Sequence, residues 1–440
     1  MTPDPARFSR SLRARAVACA FALLATSPAL AIDWAEAARP YIGTTINVVM
    51  QSHPITEITR EMLDEFTALT GIRVEREELA RNALLQKQEI ELASRTGAYD
   101  VMYIHPQVVH RYAGADWAVP LNEFLRDSTL TDADFNYEDF LQSTRDGFTV
   151  DGDIFGMPFN AESTALYYRT DIFDEHGLQP PTTWEELREV ASQLHTPEVP
   201  AFLTRGAKGP NIYTFAGFLW SFGGQWVTED NSPALDSDEA VRALEEYAGL
   251  LRAYGPAGAA NYTHFDVYTD FMLGRAAMAF DATVWGPAFF ANPEQSEVIG
   301  NWDVTMVPAG PAGRFPAYAT HGLMIPQDSD SKEAAWLFIQ WFTSRDTQLE
   351  IALQGAADQP RLSVYEDPAY QEQYGDLGNW LEVHLESIRE SDPAYRATFL
   401  PQWPQVNDVV STVVQEAVAG NSDYAGLLQE ANSRLRRILR

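Results

Sequence analysis

A single cysteine, Cys19, in a chain of 440 residues removes several kinds of chemistry at once. It leaves no disulfide framework and no thiolate cluster for a metal. Basic residues are also scarce, with 31 Lys and Arg against 62 Asp and Glu and a net charge of −31. Nucleic-acid binders neutralise phosphate with clustered Lys and Arg. The only cluster here, Arg434, Arg436, Arg437 and Arg440, closes a C-terminal helical pattern whose dipole it complements. Nucleic acid is therefore not an expected partner, and the acidity is read as serving solubility. Long hydrophobic runs are missing too. The apolar run over residues 16–25 falls well short of the roughly 20 residues that cross a bilayer. The eight histidines are scattered, with no His-Glu-x-x-His, no Gly-x-Ser-x-Gly elbow and no phosphate-cradling P-loop, so neither a metal nor a cofactor is expected. A glycoside-hydrolase reading would rest on Asp281 and Glu162 as a carboxylate pair, a reading of residue types alone, and an enzyme is not expected.

The N-terminus has the three parts of a secretory signal: Arg7, Arg10, Arg13 and Arg15, the apolar run, then Ala29-Leu30-Ala31 before Ile32. Residues 1–31 are expected to be removed, which places the mature chain outside the cytoplasm, in the periplasm, with no cysteine left. Cys19 stands at the front of the apolar run, and the position three residues ahead is Ala16, so lipid anchoring is not expected. Chains beyond roughly 250–300 residues divide into domains, and two lobes are the expectation for what remains.

Along the mature chain, residues 44–50 form a β-branched run followed by Gln51-Ser52-His53-Pro54 and then apolar residues at helical spacing up to Thr70-Gly71. A second strand over 72–79, a helix over 82–93 and a third strand over 99–104 follow. Strands alternating with helices predict a parallel sheet, whose ligands sit beyond the carboxyl ends of the strands. That rule selects the loops 51–53, 77–81 and 105–107. The stretch 152–187 reads as strand, turn, strand, short amphipathic helix, Pro-Pro stop and capped helix, with polar residues in its middle. Helices are predicted over 212–222 and 237–254, a helix returning to a strand over 271–280, short strands over 304–307 and 322–325, and mainly helices from 331. The chain thus builds part of one lobe, crosses near 145–165, builds the second and returns near 315–325. The predicted first lobe is 32–145 with 316–355, the second 146–315 with 356–440.

Five blocks occur in one order. They are Gly97-Ala98-Tyr99-Asp100-Val101-Met102 with Ala118-Val119-Pro120-Leu121-Asn122-Glu123-Phe124; Phe155-Gly156-Met157-Pro158 and Leu166-Tyr167-Tyr168-Arg169 with Pro180-Pro181, Thr183-Trp184 and Leu187; Leu219-Trp220-Ser221-Phe222-Gly223-Gly224; Gly274-Arg275-Ala276-Ala277-Met278 with Asp281 and Trp285; and His321-Gly322-Leu323-Met324-Ile325-Pro326 with the helical stretch 333–342. Together they resemble the extracellular solute-binding proteins of bacterial ABC importers, of the type that captures sugars and polyols. The resemblance implies an α/β, two-lobed periplasmic-binding-protein type II-like fold, with the ligand cleft between lobes and crossing hinge segments. It also implies a sugar, polyol or glycoside as ligand and the transmembrane subunits of an ABC permease as partner. A monomer is expected for a clamp that must open. The sequence departs from the family pattern at Arg169, where Asn is usual, and at Asp281-Ala282-Thr283, where Gly is frequent after the Asp. These departures leave the ligand open, including an anion such as a glycerol-phosphate diester served by Arg361, His53 and His105.

Polyols want paired donors and acceptors for their hydroxyls and aromatic faces for their C–H surfaces. Trp285, after a strand end and in a Gly-Pro-bounded turn, is the candidate stacking platform, and Trp220 is poised between pocket and core. Trp184, Trp336 and Trp341 sit at helical positions among apolar neighbours and are assigned to packing. Gln51, Ser52 and His53 follow the first strand and His105 the third. Asn160 and Glu162 lie in the crossover, and His321 precedes the returning strand. The resemblance supports Asp281 as a grip on vicinal hydroxyls and Arg361 as a ligand-facing cation.

Overall fold

The computed structural model describes residues 32–196, 199–393 and 400–440, so the expected signal segment 1–31 lies outside the described residues. Two sheets organise the chain. The first is ordered β2-β1-β3-β12-β6 and the second β10-β7-β9-β8. Their strands are β1 (Thr45–Gln51), β2 (Arg73–Leu79), β3 (Val101–Ile104), β4 (Thr149–Val150), β5 (Asp153–Ile154), β6 (Met157–Pro158), β7 (Glu162–Arg169), β8 (Phe202–Leu203), β9 (Met278–Ala282), β10 (Trp302–Met306), β11 (Tyr318–Ala319) and β12 (Gly322–Met324).

β1, β2 and β3 run parallel, as alternating strands and helices dictate. The helices Pro54–Thr70 and Arg81–Ser94 cover them, the first stopped by Gly71 in the left-handed region at φ 70°. β3 starts two residues later than the sequence suggests. The Asp100 side chain takes the Asn47 N–H at 2.9 Å and the Ser329 hydroxyl at 2.7 Å, and so acts as a polar post before the apolar strand. β12 then returns antiparallel to β3, with β6 antiparallel to β12. The second sheet is built differently. β7 is its axis, antiparallel to β9, β10 and β11, and β8 alone runs parallel to its neighbour.

Each sheet has its own core. One cluster joins β1–β3, the helix Lys332–Phe342 and residues as late as Phe159. The others gather β7–β10 with the helices Asn211–Ser221, Asp238–Tyr254 and Trp403–Val418, and with the segment 364–388. Trp184, Trp336 and Trp341 are buried at 2%, 0% and 6% exposure and are packing residues.

The core packing bears on the approximate lobe division at 145/146 and on the predicted crossing near 145–165. Phe148, Ile154, Phe155, Met157 and Phe159 all belong to the first core, and β6 is a strand of the first sheet. The first crossing is therefore at 159–161, the return at 319–321, and a third passage at 356–358, where Ala356 joins the first core and Ala357 the second. Hydroxyls lace the first two passages together. Ser163 Oγ donates to the Ala317 carbonyl at 2.6 Å, and Thr164 Oγ1 accepts the Ala317 N–H at 2.9 Å.

Candidate functional site

The carboxyl edge of the first sheet carries a group of rings. Past β1, the Ser52 N–H donates to the Leu79 carbonyl at 2.9 Å, which fixes the exposed Ser52 loop beside the end of β2. His53 then caps the helix Pro54–Thr70. Its Nδ1 accepts the Ile55 N–H at 3.3 Å, and its own N–H donates to Thr56 Oγ1 at 2.9 Å. With Nδ1 used this way, Nε2 is the edge of the ring left for other partners. The Thr56 hydroxyl donates to the Gln51 carbonyl, so the Gln51–His53 corner is held by the cap.

The His53 ring lies 5.5 Å from that of His321, and His321 lies 4.8 Å from His105 and 5.3 Å from Tyr103. The Tyr103 hydroxyl bonds His321 Nδ1 directly. His105 stands at the start of the helix Pro106–Gly114, immediately past β3. Burial pushes the His53 imidazole down to about 4, so it is neutral at physiological pH.

The second lobe presents a tied assembly. Asp281, in β9 and 0% exposed, receives Arg205 Nε on both oxygens at 3.0 and 2.9 Å, with Arg205 Nη2 on Oδ1. Trp285 Nε1 donates to the same Oδ1 at 3.1 Å. The Arg205 guanidinium lies over the Tyr213 ring, 4.5 Å from its centroid. The indole of Trp285 is parallel to the His264 ring at 6.1 Å and 5°, and it leans on Tyr268 at 5.2 Å. Burial is the largest single influence on the Arg205 pKa and lowers it, but the charge and hydrogen bonds of Asp281, with Tyr213 and Glu162 adding to them, together outweigh it, for a net upward shift. Burial, with Arg205 second, pushes His264 down to about 4.

The two walls act on common groups. Arg81, on the first lobe just past β2, donates to Gln107 Oε1 at 3.1 Å, and its charge acts on Tyr103 in its own lobe and on His264 in the other. Glu162, at the start of β7, acts on Tyr103 and on Arg205. These shared influences mark the carboxyl edge of the first sheet and the Arg205–Asp281–Trp285 assembly as the two sides of the candidate site, with Gln51, Ser52 and His53 at the sheet edge, Glu162 on the crossover, Trp285 in the second lobe, and His105 and His321 buried at 4% and 5% exposure.

Three expectations are corrected. Asp281 neither caps a helix nor stands open to two hydroxyls, since both its oxygens are committed to Arg205 and it orients the indole instead. That commitment also removes it from an acid–base pair with Glu162. Asn160 is fully buried, and its side chain bonds Asp358 and the backbone of His321, so its donors and acceptor are engaged in the hinge. Arg361 is 1% exposed and, just past the third passage, turns its side chain onto groups of the first lobe. It donates to the Thr343 carbonyl at 2.6 Å and to Asp139 at 3.0 Å, and it lies over Phe140 at 3.9 Å. Burial lowers it to about 10, with Asp139 opposing. Trp220 is half-buried against Phe315, two helical turns beyond Tyr213, away from the Arg205 assembly.

Residue patterns did not single out Arg205, Tyr213 or His264. Arg205 follows a two-residue strand, and His264 opens a helix of nine residues, so neither carries a periodic signal. Arg81 lies in a loop selected by the strand-end rule, and that was its only signal.

The chain matches the family model of bacterial extracellular solute-binding proteins over residues 52–349. It belongs to that family. This solute-binding protein is 29% identical over 371 residues to the mannitol-binding protein of Pseudomonas aeruginosa, covering 79% of the chain and 82% of that relative. It is 28% identical over 430 residues to the erythritol/L-threitol-binding protein of Mycolicibacterium smegmatis, covering 92% and 85%. An ABC transporter solute-binding protein from Agrobacterium radiobacter, solved with ribitol, superposes with a TM-score of 0.81 at 27% identity, over 90% of this chain and 98% of that one. The fold is accordingly the two-lobed periplasmic-binding type, and the protein is the substrate-binding component of an ABC transporter. Among the described residues no helix is long and apolar enough to cross a membrane.

Proposed function

We propose that this solute-binding protein captures a neutral polyol, or a sugar of similar hydroxyl density, between its lobes outside the cytoplasm. It acts there as a non-enzymatic monomer and presents the cargo to the transmembrane subunits of an ABC permease. The observation that carries this reading is the charge balance of the cleft. Two arginines, Arg81 and Arg205, stand against two acids, Glu162 and Asp281, while His53 and His264 are held neutral by burial. Such a cleft offers many hydrogen-bonding groups and little net field, which suits an uncharged guest. A phosphodiester would tip that balance, and Arg361, its most natural counter-ion by sequence, is spent on Asp139. The relatives named for mannitol, erythritol and ribitol point the same way.

In this reading the guest lies on the Trp285 indole. His53 and His321 with Glu162 reach it from one side, the Arg205 assembly from the other. Ligand shifts the open–closed equilibrium only through contacts better made when closed, so groups from both lobes are required.

The test is a melting-temperature screen of erythritol, ribitol, D-mannitol, maltose and glycerol phosphates, followed by calorimetry. A ligand at 100 times its Kd stabilises by about 2.7 kcal/mol, well within reach of the method. One or more neutral polyols or sugars should raise the melting temperature. A shift given by the phosphorylated compounds alone would overturn the assignment.

A further inference from the structure

Among the described residues three passages of chain join the lobes, and one residue, Asn160, bonds to the other two. The Asn160 carbonyl accepts the Thr320 hydroxyl at 2.5 Å, its side-chain oxygen accepts the His321 N–H at 2.7 Å, and its amide nitrogen donates to Asp358 Oδ2 at 2.9 Å. On either side the Phe159 N–H donates to the His321 carbonyl at 2.9 Å, and the Ala161 N–H to the Asp358 carbonyl at 2.7 Å. Asn160 and Thr320 are 0% exposed and Asp358 is 5% exposed.

The chemistry of this bracket has a direction. An amide side chain can be turned end for end, exchanging its donor for its acceptor. An ionised carboxylate only accepts, so Asp358 requires the NH2 end of Asn160 and thereby turns the oxygen toward the His321 N–H. His321 holds its ring against His53, His105 and Tyr103, within the candidate site. Two residues past Asn160 stands Glu162. A buried acid whose partner is an amide and not a cation is an expensive choice for a hinge that needs only rigidity.

We propose that Asp358 is a positioning residue for ligand capture: by fixing the Asn160 amide it locks the crossings that carry His321 and Glu162, and so sets the resting angle between the lobes. The inference rests on the cleft-closing reading above.

Burial raises the Asp358 carboxyl to about 6, with the Asn160 bond opposing. The titratable groups packed around it are the phenols of Tyr365, Tyr370 and Tyr374, with His384 behind Tyr365 at 2.9 Å from its hydroxyl. Tyr365 donates to the Gln359 carbonyl, Tyr370 to Ala357 and Tyr374 to Ala352. His384 is pushed down to about 3 by burial, so Asp358 is the group of this cluster that titrates between pH 5 and 7.5. Arg361 is directed to Asp139 instead.

The experiment compares wild type, Asp358→Ala and Asp358→Asn by small-angle scattering without ligand and by calorimetry with D-mannitol and ribitol. Asp358→Ala should shift the ligand-free scattering profile and weaken the better probe at least tenfold at pH 7.5. Asp358→Asn, which keeps an acceptor for Asn160, should stay within twofold there. Wild-type affinity should change at least threefold between pH 5 and 7.5, while that of Asp358→Asn stays flat. A folded Asp358→Ala with unchanged scattering and affinity would overturn the proposal. If that variant does not fold, parallel pH profiles of wild type and Asp358→Asn would overturn it instead. Should neither probe bind wild type, the polyol reading fails, and the ligand-free scattering comparison of wild type with Asp358→Ala and Asp358→Asn still decides the role of Asp358: a profile unchanged in both variants overturns it.

Discussion

Trp285 and Arg361 show how differently two residues of equal promise in sequence can be used. Trp285 is half-buried, its indole N–H is taken by Asp281, and in the proposed function its ring is the platform for a polyol's C–H surface. Trp285→Ala should therefore weaken the best polyol ligand at least tenfold, about 1.4 kcal/mol, in calorimetry, with the far-ultraviolet circular dichroism unchanged. An affinity equal to wild type would remove the indole from the site. Arg361 is the reverse case. It lies on two phenyl rings and pairs with Asp139, which also takes the Ser363 N–H at 2.9 Å and its hydroxyl at 2.6 Å. Arg361→Ala leaves a covered carboxylate without its cation and should destabilise by roughly 3–5 kcal/mol in denaturant titrations. The folded fraction should keep its affinity. A variant with wild-type stability and lost binding would restore Arg361 to the ligand.

Helices and long strands announce themselves because their signals are local, and Thr183-Trp184 is an example. Thr183 Oγ1 accepts the Glu186 N–H at 3.2 Å, and Glu186 answers on the Thr183 N–H, a capping box that starts the helix Trp184–Leu194. Trp184 then stacks on Phe218 at 3.7 Å and donates to Ser221 Oγ at 3.0 Å. Thr183→Ala should cost about 1 kcal/mol of stability with ligand affinity untouched, since the cap is far along the chain from the cleft groups. A loss of affinity without a loss of stability would contradict that division. By the same locality β1, β2 and their covering helices were legible to within a residue or two, and with them the loop that carries His53. The hinge was not. β6 and β11 are two residues each, pair only with strands distant in sequence, and have no period to read. The predicted crossing near 145–165 includes 159–161, but no local signal fixed the lobe boundary within that window. Arg205 was hidden for the same reason, since its role depends on a strand-end aspartate 76 positions later. Family likeness supplied Asp281 as a position but not its partner.

At the level of the whole molecule the net charge is −31, while in the proposed site Arg81 and Arg205 stand against Glu162 and Asp281, so on that proposal surface solubility and ligand selection are separated in space. Each lobe has its own core, and Asn160, Thr320, His321 and Asp358 bond the three passages to one another. There a single buried acid bears on stability as well as on positioning. The folded pKa of Asp358, about 6, lies above the ordinary carboxyl value of 3.8, so the fold favours the protonated form. Its contribution is complete below 3.8, declines as pH rises toward 6, and is lost above that. Asp358→Asn carries no such dependence. The melting temperature of wild type relative to Asp358→Asn should therefore fall between pH 4 and pH 6 and hold steady from pH 6 to 8, the whole change being roughly 2–3 kcal/mol. Other carboxylates titrate alike in both proteins and cancel in the difference. Differential scanning calorimetry on the pair decides it: a gap constant from pH 4 to 8 would mean that the carboxyl at the hinge ionises as freely as one in water.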